Sequence, residues 1–243
     1  MRPDFFGPDV ASHYDESEAA MFDASAIEPA LDVLAPLAGG RGALEFGIGT
    51  GRVALPLAGR GVEVAGIDLS DAMVAELRAK PGGEAIPVAI GDFASTKLQR
   101  KFALVYLVFN TIMNLTTLED QIACFRNAND HLEPEGTFVI EVGVPQLRRL
   151  PPGETVRAFE VSPHRLGFDE FDTATQRLTS HHYAVRDGKL ELHSIPFRYV
   201  WPSELDLMAR LAGLRLRERW GGWGREPFTG ESVKHVSVWE KPR

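Results

Sequence analysis

The sequence predicts an α/β fold in which a mostly parallel sheet carries an inserted antiparallel sheet. A short apolar run, residues 43–46, breaks into a glycine-rich turn that is followed at once by a helical pattern. Two further apolar runs, 62–67 and 86–90, each lead into an acidic residue. After residue 155 the helical period disappears, and apolar and polar residues alternate as in half-buried strands. The strand–turn–helix succession predicts the parallel sheet, and the alternation predicts the insertion.

The turn after the first run has glycine at every second position, at Gly47, Gly49 and Gly51. Between a strand and a helix, such a turn presents backbone N–H groups to a nucleotide-like ligand, and a side chain would hold the ligand away. The dinucleotide fingerprint Gly-x-Gly-x-x-Gly would need its third glycine at position 52, which is Arg52. The spacing therefore argues against a nicotinamide dehydrogenase.

Acidic residues follow the next two runs. Asp68 follows residues 62–67, where a carboxylate could take both hydroxyls of a ribose. Asp92 lies between Gly91 and Phe93, directly after residues 86–90. A glycine turn, an acid and a second acid at three successive strand ends form a stronger signal than any one of them alone.

With these motifs, residues 40–143 resemble the class I S-adenosylmethionine-dependent methyltransferases. The resemblance implies that the glycine turn wraps the methionine part of S-adenosylmethionine and that Asp68 binds its ribose. It also implies that Asp92 binds the adenine amino group, with Phe93 beside the adenine, and that Glu45 reaches the cofactor's ammonium group. A strand-end acid paired with a basic neighbour is the alternative for Glu45. The implied fold is a three-layer Rossmann-like sheet of seven strands with the last strand antiparallel.

The complete set of predicted cofactor contacts is Tyr14, Glu45, Gly47, Gly49, Gly51, Arg52, Asp68, Leu69, Met73, Gly91, Asp92, Phe93 and Phe109. The predicted organisation is one domain, residues 1–243, made of an N-terminal helical lid (1–37), a cofactor-binding core (40–144), an antiparallel cap insertion (150–200) and a C-terminal helix with two strands (201–243).

Residues 12–35 are predicted to be helical, with Pro29 dividing the helix in two. Tyr14 precedes the glycine motif and resembles the lid tyrosine of small-molecule methyltransferases, which closes over the cofactor. An ordinary packing role is the alternative.

The core continues with Ser70 as the N-cap of a helix over 71–80, and with a buried central strand over 102–110. Thr117 and Asp120 form a capping-box pattern at the next helix. Ser203 is predicted to cap a helix over 204–211 in the same way. The remaining predicted strands cover residues 137–142, 214–219 and 233–240.

The predicted cap contains a hairpin, because Asp187-Gly188 separates two alternating runs. The segment leaves the fifth strand at the edge where ligands bind, so we expect it to cover that edge and contact the substrate. A dimer interface is the alternative for its apolar face.

The carboxyl ends of the strands and the loops beside them supply the candidate substrate contacts. These are Asn110, Asn114, Glu141, Tyr199, Trp220 and Trp223. The candidate catalytic residues are Tyr14, Asn110, His181 and His182. His181 and His182 are adjacent on a predicted strand, so at most one of them faces the site.

Composition limits the function classes. The net charge of −8 argues against a nucleic-acid partner, which requires a basic face. The single cysteine, Cys124, excludes an internal disulfide, and no ligand spacing indicates a metal. No apolar run is long enough for a membrane span, so a cytoplasmic monomer or homodimer is expected.

The predicted function is methyl transfer from S-adenosylmethionine to nitrogen or oxygen of a small molecule, with natural-product biosynthesis as the expected setting. The layout is similar to the N,N-dimethyltransferases of antibiotic aminosugars. A non-catalytic S-adenosylmethionine-binding or scaffold protein is the first alternative. A methyltransferase acting on protein or RNA is the second.

Overall fold

The computed structural model describes residues 3–163, 165–186 and 189–243. The helices are α1 (Pro8–Ser17), α2 (Ala19–Phe22), α3 (Ala24–Ala38), α4 (Ala54–Gly59), α5 (Asp71–Ala79), α6 (Leu118–His131) and α7 (Pro202–Leu211). The strands are β1 (Ala43–Phe46), β2 (Val64–Asp68), β3 (Val88–Ile90), β4 (Phe102–Leu107), β5 (Leu132–Gly143), β6 (Val156–Val161), β7 (Arg165–Asp172), β8 (Arg177–Arg186), β9 (Lys189–Arg198), β10 (Arg215–Trp220) and β11 (Lys234–Glu240).

A seven-stranded sheet with the order β10-β11-β5-β4-β1-β2-β3 forms the centre of the molecule. The pairs joining β3, β2, β1, β4 and β5 are parallel, whereas β11 pairs antiparallel with both β5 and β10. Helices α6 and α7 cover one face of this sheet, and α3, α4 and α5 cover the other. The predicted three-layer fold with an antiparallel last strand is therefore confirmed.

The N-terminal helices depart from the prediction at one point. Helix α3 runs through Pro29, and the breaks fall instead at Glu18 and Asp23. The prediction that Pro29 divides the helix is wrong because a proline removes only one backbone donor. The buried face of α3, which includes Leu31 and Leu34, compensates for that loss.

Helices α1 and α2, called the lid below, are fastened to the core by polar contacts. The hydroxyl of Thr50 donates to Asp15 Oδ1 (2.6 Å), and Lys80 forms an ion pair with the same carboxylate. The hydroxyl of Ser70 donates to the carbonyl of Phe6 (2.7 Å). The lid therefore lies against the glycine turn and the start of α5.

Two predicted helix caps are confirmed. Ser70 Oγ accepts from the backbone N–H of Met73 (3.3 Å), and Thr117 Oγ1 accepts from that of Asp120 (3.1 Å). Each contact satisfies one of the unpaired donors at a helix N-terminus.

The predicted cap at Ser203 is wrong, because α7 begins at Pro202 with Trp201 as its N-cap residue. Proline is favoured at the first helical position, and the carboxylate of Glu204 accepts from the backbone N–H of Trp201 (2.9 Å). The carboxylate of Asp206 instead accepts from Arg219 (2.7 Å).

Strands β6 to β9 form a separate four-stranded antiparallel sheet, called the cap sheet below. The four strands are adjacent in the order in which they occur along the chain. The pairing of β8 with β9 runs from the pair Arg177–Arg198 to the pair Arg186–Lys189. The inserted antiparallel sheet is therefore confirmed. The predicted turn at Asp187-Gly188 lies outside the described residues.

Arg198, at the end of β9, anchors the cap sheet to the core. Its guanidinium donates to Gln121 Oε1 (2.6 Å), to Glu204 Oε1 (2.9 Å) and to Gln176 Oε1 (3.1 Å). Gln121 in turn donates to the carbonyls of Arg198 (3.1 Å) and Ile112 (3.3 Å). Helix α6, helix α7 and the cap sheet meet at this buried group.

In the part of the chain that the structure describes, no helix combines the length and the apolar character that crossing a membrane requires.

Replacing Arg198 with leucine is expected to destabilise the fold by about 3 kcal/mol, because it leaves the buried Gln121 and the partly buried Glu204 without this partner. Urea unfolding measures this difference. Arg215→Leu is the matched control: Arg215 pairs with Glu240, but its side chain is 71% exposed. Its loss is expected to cost less than ~1 kcal/mol. Equal effects of the two substitutions would contradict the anchoring role.

Candidate active site

A cavity of about 1410 Å³ opens between the carboxyl edge of the parallel strands, the lid and the cap sheet. Ligand pockets are typically roughly 300–1,000 Å³, so this one has room for a cofactor and a second molecule. The expected placement of the cap over the carboxyl edge is therefore confirmed. Among the cap-sheet residues that line the cavity, six share one face of β8 and β9, called the inner face below: Ser180, His182, Ala184, Glu191, His193 and Ile195.

The three glycines of the turn all have left-handed backbone angles, with φ of 70° at Gly47, 54° at Gly49 and 83° at Gly51. A Cβ at Gly47 would meet Thr111 at 2.6 Å, and one at Gly51 would meet Leu77 at 2.3 Å. At Gly49 the nearest atom would be at 3.4 Å, an ordinary contact. Gly49 is therefore the glycine with space on its open side, where a ligand can approach the backbone. Gly51 packs inside and does not line the cavity.

Asp68 lies in the wall beside this turn. Its Oδ2 accepts from the backbone N–H of Gly49 (2.6 Å), and its Oδ1 accepts from that of Ser70 (2.9 Å). Burial raises the pKa of Asp68 above its ordinary value, while these two hydrogen bonds oppose the shift. Each carboxylate oxygen has more than one lone pair, so both can accept a further donor such as a hydroxyl.

Glu45 lies near the carboxyl end of β1, a central strand of the sheet, and is only 3% exposed. The hydroxyl of Tyr106 donates to Glu45 Oε2 (2.8 Å). Burial raises the pKa of Glu45 to about 8, and the Tyr106 hydrogen bond and the charge of Arg52 partly offset this rise. Among the described residues, Glu45 makes a hydrogen bond to a tyrosine rather than a close ion pair. A buried acid of this kind can accept a cationic ligand group.

The end of β4 turns sharply, because Phe109 and Asn110 have left-handed φ values of 54° and 61°. Such angles cost non-glycine residues on the order of 1–3 kcal/mol. The guanidinium of Arg52 lies over the Phe109 ring, 5.1 Å from its centroid. Asn110 Oδ1 accepts from the backbone N–H of Gly143 (2.7 Å), so its side chain joins the ends of β4 and β5. Asn110 reaches the cavity, but this amide oxygen already has a structural partner.

The wall after β3 carries Asp92 and Phe93. Asp92 Oδ1 accepts from the backbone N–H of Ala94 (2.9 Å), and Phe93 stacks on Phe46 with centroids 5.8 Å apart. Both Asp92 and Phe93 line the cavity. Gly91 does not, because its Cα faces Thr96, whose hydroxyl would lie 2.2 Å from a Cβ.

Leu69, Met73 and Asn114 also line the cavity. Tyr14 of the lid lines it beside Phe6, with the two rings edge to face and 6.2 Å between centroids. Burial raises the pKa of Tyr14 to about 12. Near neutral pH its hydroxyl is therefore protonated and suited to donate a hydrogen bond, not to accept a proton.

The adjacent histidines of β8 point to opposite faces, as their spacing predicts. His182 lies on the inner face, and its Nε2 is 3.2 Å from Ser180 Oγ. His181 lies on the other face, where its Nδ1 contacts Ser194 Oγ (2.8 Å) and its ring contacts Phe168. The structure therefore keeps His182 as a candidate and removes His181.

Four predicted substrate contacts lie away from the cavity. Glu141 pairs with Lys234 (3.0 Å) and accepts from the backbone N–H of Phe109 (3.3 Å). Tyr199 is buried among the residues that close the base of the cap sheet. Trp220 and Trp223 belong to the core under α3. For these four residues the prediction of a substrate role is corrected, because their side chains are engaged in packing or pairing elsewhere.

Sequence reasoning missed other cavity residues. The most informative are Glu18, Arg165, Ser180, Glu191 and His193. The side chains of Ser180, Glu191 and His193 lie on the same face of the cap sheet as that of His182, which is opposite His193 in the β8–β9 pairing. The alternation of residues along the two strands, combined with this register, could have predicted that these side chains face the cavity.

Among the described residues, no group of three or more His, Cys, Asp or Glu side chains could hold a metal ion.

Comparisons with known proteins agree with the resemblance of the core motifs. A family model described as a methyltransferase domain matches residues 43–136. The chain is 36% identical to the CcbJ methyltransferase from Streptomyces caelestis, with 99% of this chain and 100% of that chain covered and a TM-score of 0.88. It is 27% identical to the cypemycin N-terminal methyltransferase of a Streptomyces species, over 95% of this chain and 98% of that protein.

The fold also matches a more distant solved structure. S-adenosylmethionine-bound CalS10, an amino pentose methyltransferase from Micromonospora echinaspora, is 20% identical, with 93% of this chain and 95% of that chain covered and a TM-score of 0.67. At that identity the match supports the fold alone. The identity and near-complete coverage shared with CcbJ, together with the matching domain, show that the chain belongs to the S-adenosylmethionine-dependent methyltransferases and uses S-adenosylmethionine as its cofactor.

Proposed function

We propose that the enzyme transfers a methyl group to an amine nitrogen of a small molecule that binds between the lid and the inner face. The single observation that carries this proposal is the shared cavity, which joins the cofactor motifs to the acidic lid and the cap sheet. The proposal places the enzyme in natural-product biosynthesis.

In this proposal the glycine turn, Glu45, Asp68, Asp92 and Phe93 hold the cofactor. The residues present fit the cofactor. Gly49 leaves room for a ligand against the backbone, and the buried Glu45 can accept an ammonium group. Asp68 has spare lone pairs for the hydroxyls of a ribose. S-adenosylmethionine supplies an electrophilic methyl group on a sulfonium. The protein's own task is to align the acceptor and to exclude water. The lid and the cap sheet enclose the site for that purpose.

Charge at the acceptor end of the cavity favours an amine over a neutral hydroxyl. Asp9, Glu16 and Glu18 line it from the lid side, and Glu191 lines it from the cap sheet. Two cations lie beside them: Arg165 is paired with Glu160 at 3.6 Å, and the guanidinium of Arg52 lies over the Phe109 ring, so the acids still outnumber the cations. An acidic lining raises the local concentration of cationic molecules. The relative named for the N-terminus of cypemycin also methylates an amino group by its name.

A peptide with a free N-terminal amine is the second candidate acceptor, and that relative's name favours it. Its reactive group has the same chemistry as the amine of a small molecule. The cytoplasmic location, the monomeric or homodimeric state and the absence of a nucleic-acid partner remain predictions.

Formation of S-adenosylhomocysteine from S-adenosylmethionine tests the proposal. Glucosamine, ethanolamine and glycylglycine serve as amine acceptors, and phenol and methyl glucoside serve as oxygen acceptors. Turnover with amines alone is the expected result. Turnover with the oxygen acceptors alone would contradict the amine assignment. Cofactor binding without turnover on any acceptor would support the scaffold alternative.

Gly49→Val is expected to weaken binding of S-adenosylhomocysteine at least about 100-fold, or ~2.7 kcal/mol, because the side chain occupies the open side of the turn. Titration calorimetry measures the affinity, and circular dichroism checks the fold. Gly61→Val is the matched control. Gly61 also has a left-handed φ, of 82°, and a Cβ there would have no atom within 4 Å, but Gly61 does not line the cavity. Equal affinity of the two variants would contradict the role of Gly49.

A further inference from the structure

We infer that His182 of the inner face removes the proton from the acceptor ammonium, and that Ser180 and Asp169 orient its imidazole. The inference rests on the proposed amine acceptor and deepens it. It assigns a proton acceptor to the cap sheet, away from the residues that hold the cofactor.

A row of polar side chains on neighbouring strands carries the inference. Asp169 of β7 lies opposite Ser180 of β8, and the Ser180 side chain opposes the rise that burial causes in the pKa of Asp169. Ser180 Oγ is 3.2 Å from His182 Nε2. Ser180 and His182 both line the cavity, and Asp169 lies beside Ser180 on the neighbouring strand but does not line the cavity. An acid, a hydroxyl and an imidazole are therefore neighbours on one face of the cap sheet, and the hydroxyl and the imidazole line the cavity.

The hydrogen bonds select one tautomer of the imidazole. In the inferred arrangement the Ser180 hydroxyl donates to the neighbouring carboxylate of Asp169, because a carboxylate only accepts hydrogen bonds. Ser180 Oγ then accepts from His182, which places the imidazole proton on Nε2. The lone pair is left on Nδ1, the nitrogen that can take up a proton.

The surroundings of His182 keep its imidazole neutral. Phe159 packs on the ring with centroids 5.2 Å apart, in space that Gly167 leaves open, since a Cβ there would meet Phe159 at 2.2 Å. Burial lowers the pKa of His182 below its ordinary value.

The charged and titratable groups facing His182 come from the three other strands of the cap sheet and from β8 itself. His193 of β9, Arg165 of β7 and the adjacent His181 lower its pKa further, and Glu160 of β6 opposes them. From the lid side, Glu18 lies near Arg165. On balance these groups favour the unprotonated imidazole at neutral pH.

Methylation of an amine requires a proton acceptor at neutral pH, because alkyl ammonium groups with a pKa near ~10 have no lone pair for attack. In the inferred step, the acceptor R-NH₃⁺ passes a proton to His182 Nδ1. The nitrogen lone pair then forms a bond to the methyl carbon as the carbon–sulfur bond breaks, and that electron pair stays on sulfur. The products are R-NH₂⁺-CH₃, a neutral thioether and an imidazolium that returns its proton to water.

Other titratable groups in the cavity are less suited to this step. The pKa of Tyr14 is about 12, so its phenol is protonated at neutral pH. Glu45 is enclosed at the cofactor end and accepts a hydrogen bond from Tyr106. The Nε2 atom of His193 is buried and has no hydrogen-bond partner among the described residues.

His182→Asn tests the inference, with His181→Asn as the matched control on the adjacent position of the opposite face. The probe is whichever of glucosamine, ethanolamine and glycylglycine gives the highest wild-type turnover. At pH 7 we expect kcat/KM of His182→Asn to fall about 100-fold or more with ethanolamine, as is typical for loss of an acid–base group, and about tenfold with glycylglycine, because an α-ammonium with a pKa near ~8 leaves about a tenth of the amine neutral. We expect His181→Asn to stay within about threefold of wild type, because the His181 side chain lies on the opposite face of the cap sheet and does not line the cavity.

The pH profile distinguishes proton removal from a structural defect. The His182→Asn variant can use only amine that is already neutral in solution, a fraction that rises about tenfold per pH unit below the amine pKa. The gap between wild type and variant is therefore expected to close as the pH rises. A constant gap at all pH values, or an equal loss in His181→Asn, would overturn the inference.

Two readouts do not depend on turnover. Affinity for S-adenosylhomocysteine should be unchanged in His182→Asn, because His182 does not hold the cofactor. NMR titration of the His182 imidazole should give a pKa below the ordinary value, and Ser180→Ala should change it. A pKa that Ser180→Ala leaves unaltered would overturn the orienting role.

Failure of the proposed function has a different signature. If wild type forms no S-adenosylhomocysteine with any of the three amines, the amine assignment fails and the inference fails with it. If wild type is active and His182→Asn matches it across the pH range, only the inference fails.

Discussion

Burial of the Glu45 carboxyl group at the carboxyl edge of the sheet is the constraint around which the site is arranged. An ionised carboxylate without a cation is costly in such a place, so the free protein holds Glu45 largely protonated and hydrogen-bonded to Tyr106. Asp68 lies nearby and is stabilised by backbone N–H groups instead. The edge therefore combines acids that lack close cations with open backbone at Gly49. This combination suits a ligand that carries an ammonium, a ribose and a sulfonium.

The rest of the molecule encloses this edge from two sides. The lid is held against the glycine turn through Asp15, which contacts Thr50 and Lys80. The cap sheet is held through the buried guanidinium of Arg198, which joins it to the starts of α6 and α7. Asp15 and Arg198, which make these attachments, are outside the lining of the cavity, so the cavity walls remain available to ligands. In the proposed function, specificity for the acceptor depends on the lid and the inner face, whereas the core serves the cofactor.

Much of the fold and of the cofactor end could be predicted from the sequence, because local patterns carry that information. Glycine spacing, strand-end acids such as Asp68 and alternation in the cap follow directly from backbone geometry. The acceptor end depends on tertiary packing, which alternation alone does not define. Trp220 looked like a pocket wall because it follows a strand near a glycine-rich loop, yet the fold uses it as core under α3. Ser180 and His193 carried no motif: Ser180 lies beside His182 because alternate residues of β8 share a face, and His193 lies beside it because of the β8–β9 register.

Proton release on cofactor binding tests the central claim most directly. The pKa of Glu45 is about 8 in the free protein, so its carboxyl is mostly protonated at pH 7, and an ammonium placed beside it favours ionisation. Calorimetric titration of S-adenosylhomocysteine at pH 7, in buffers of different ionisation enthalpy, counts the protons released. The account predicts about one proton per molecule bound to wild type, near zero for Glu45→Gln, and a wild-type affinity that rises with pH up to about 8. The same proton count in both proteins would contradict it.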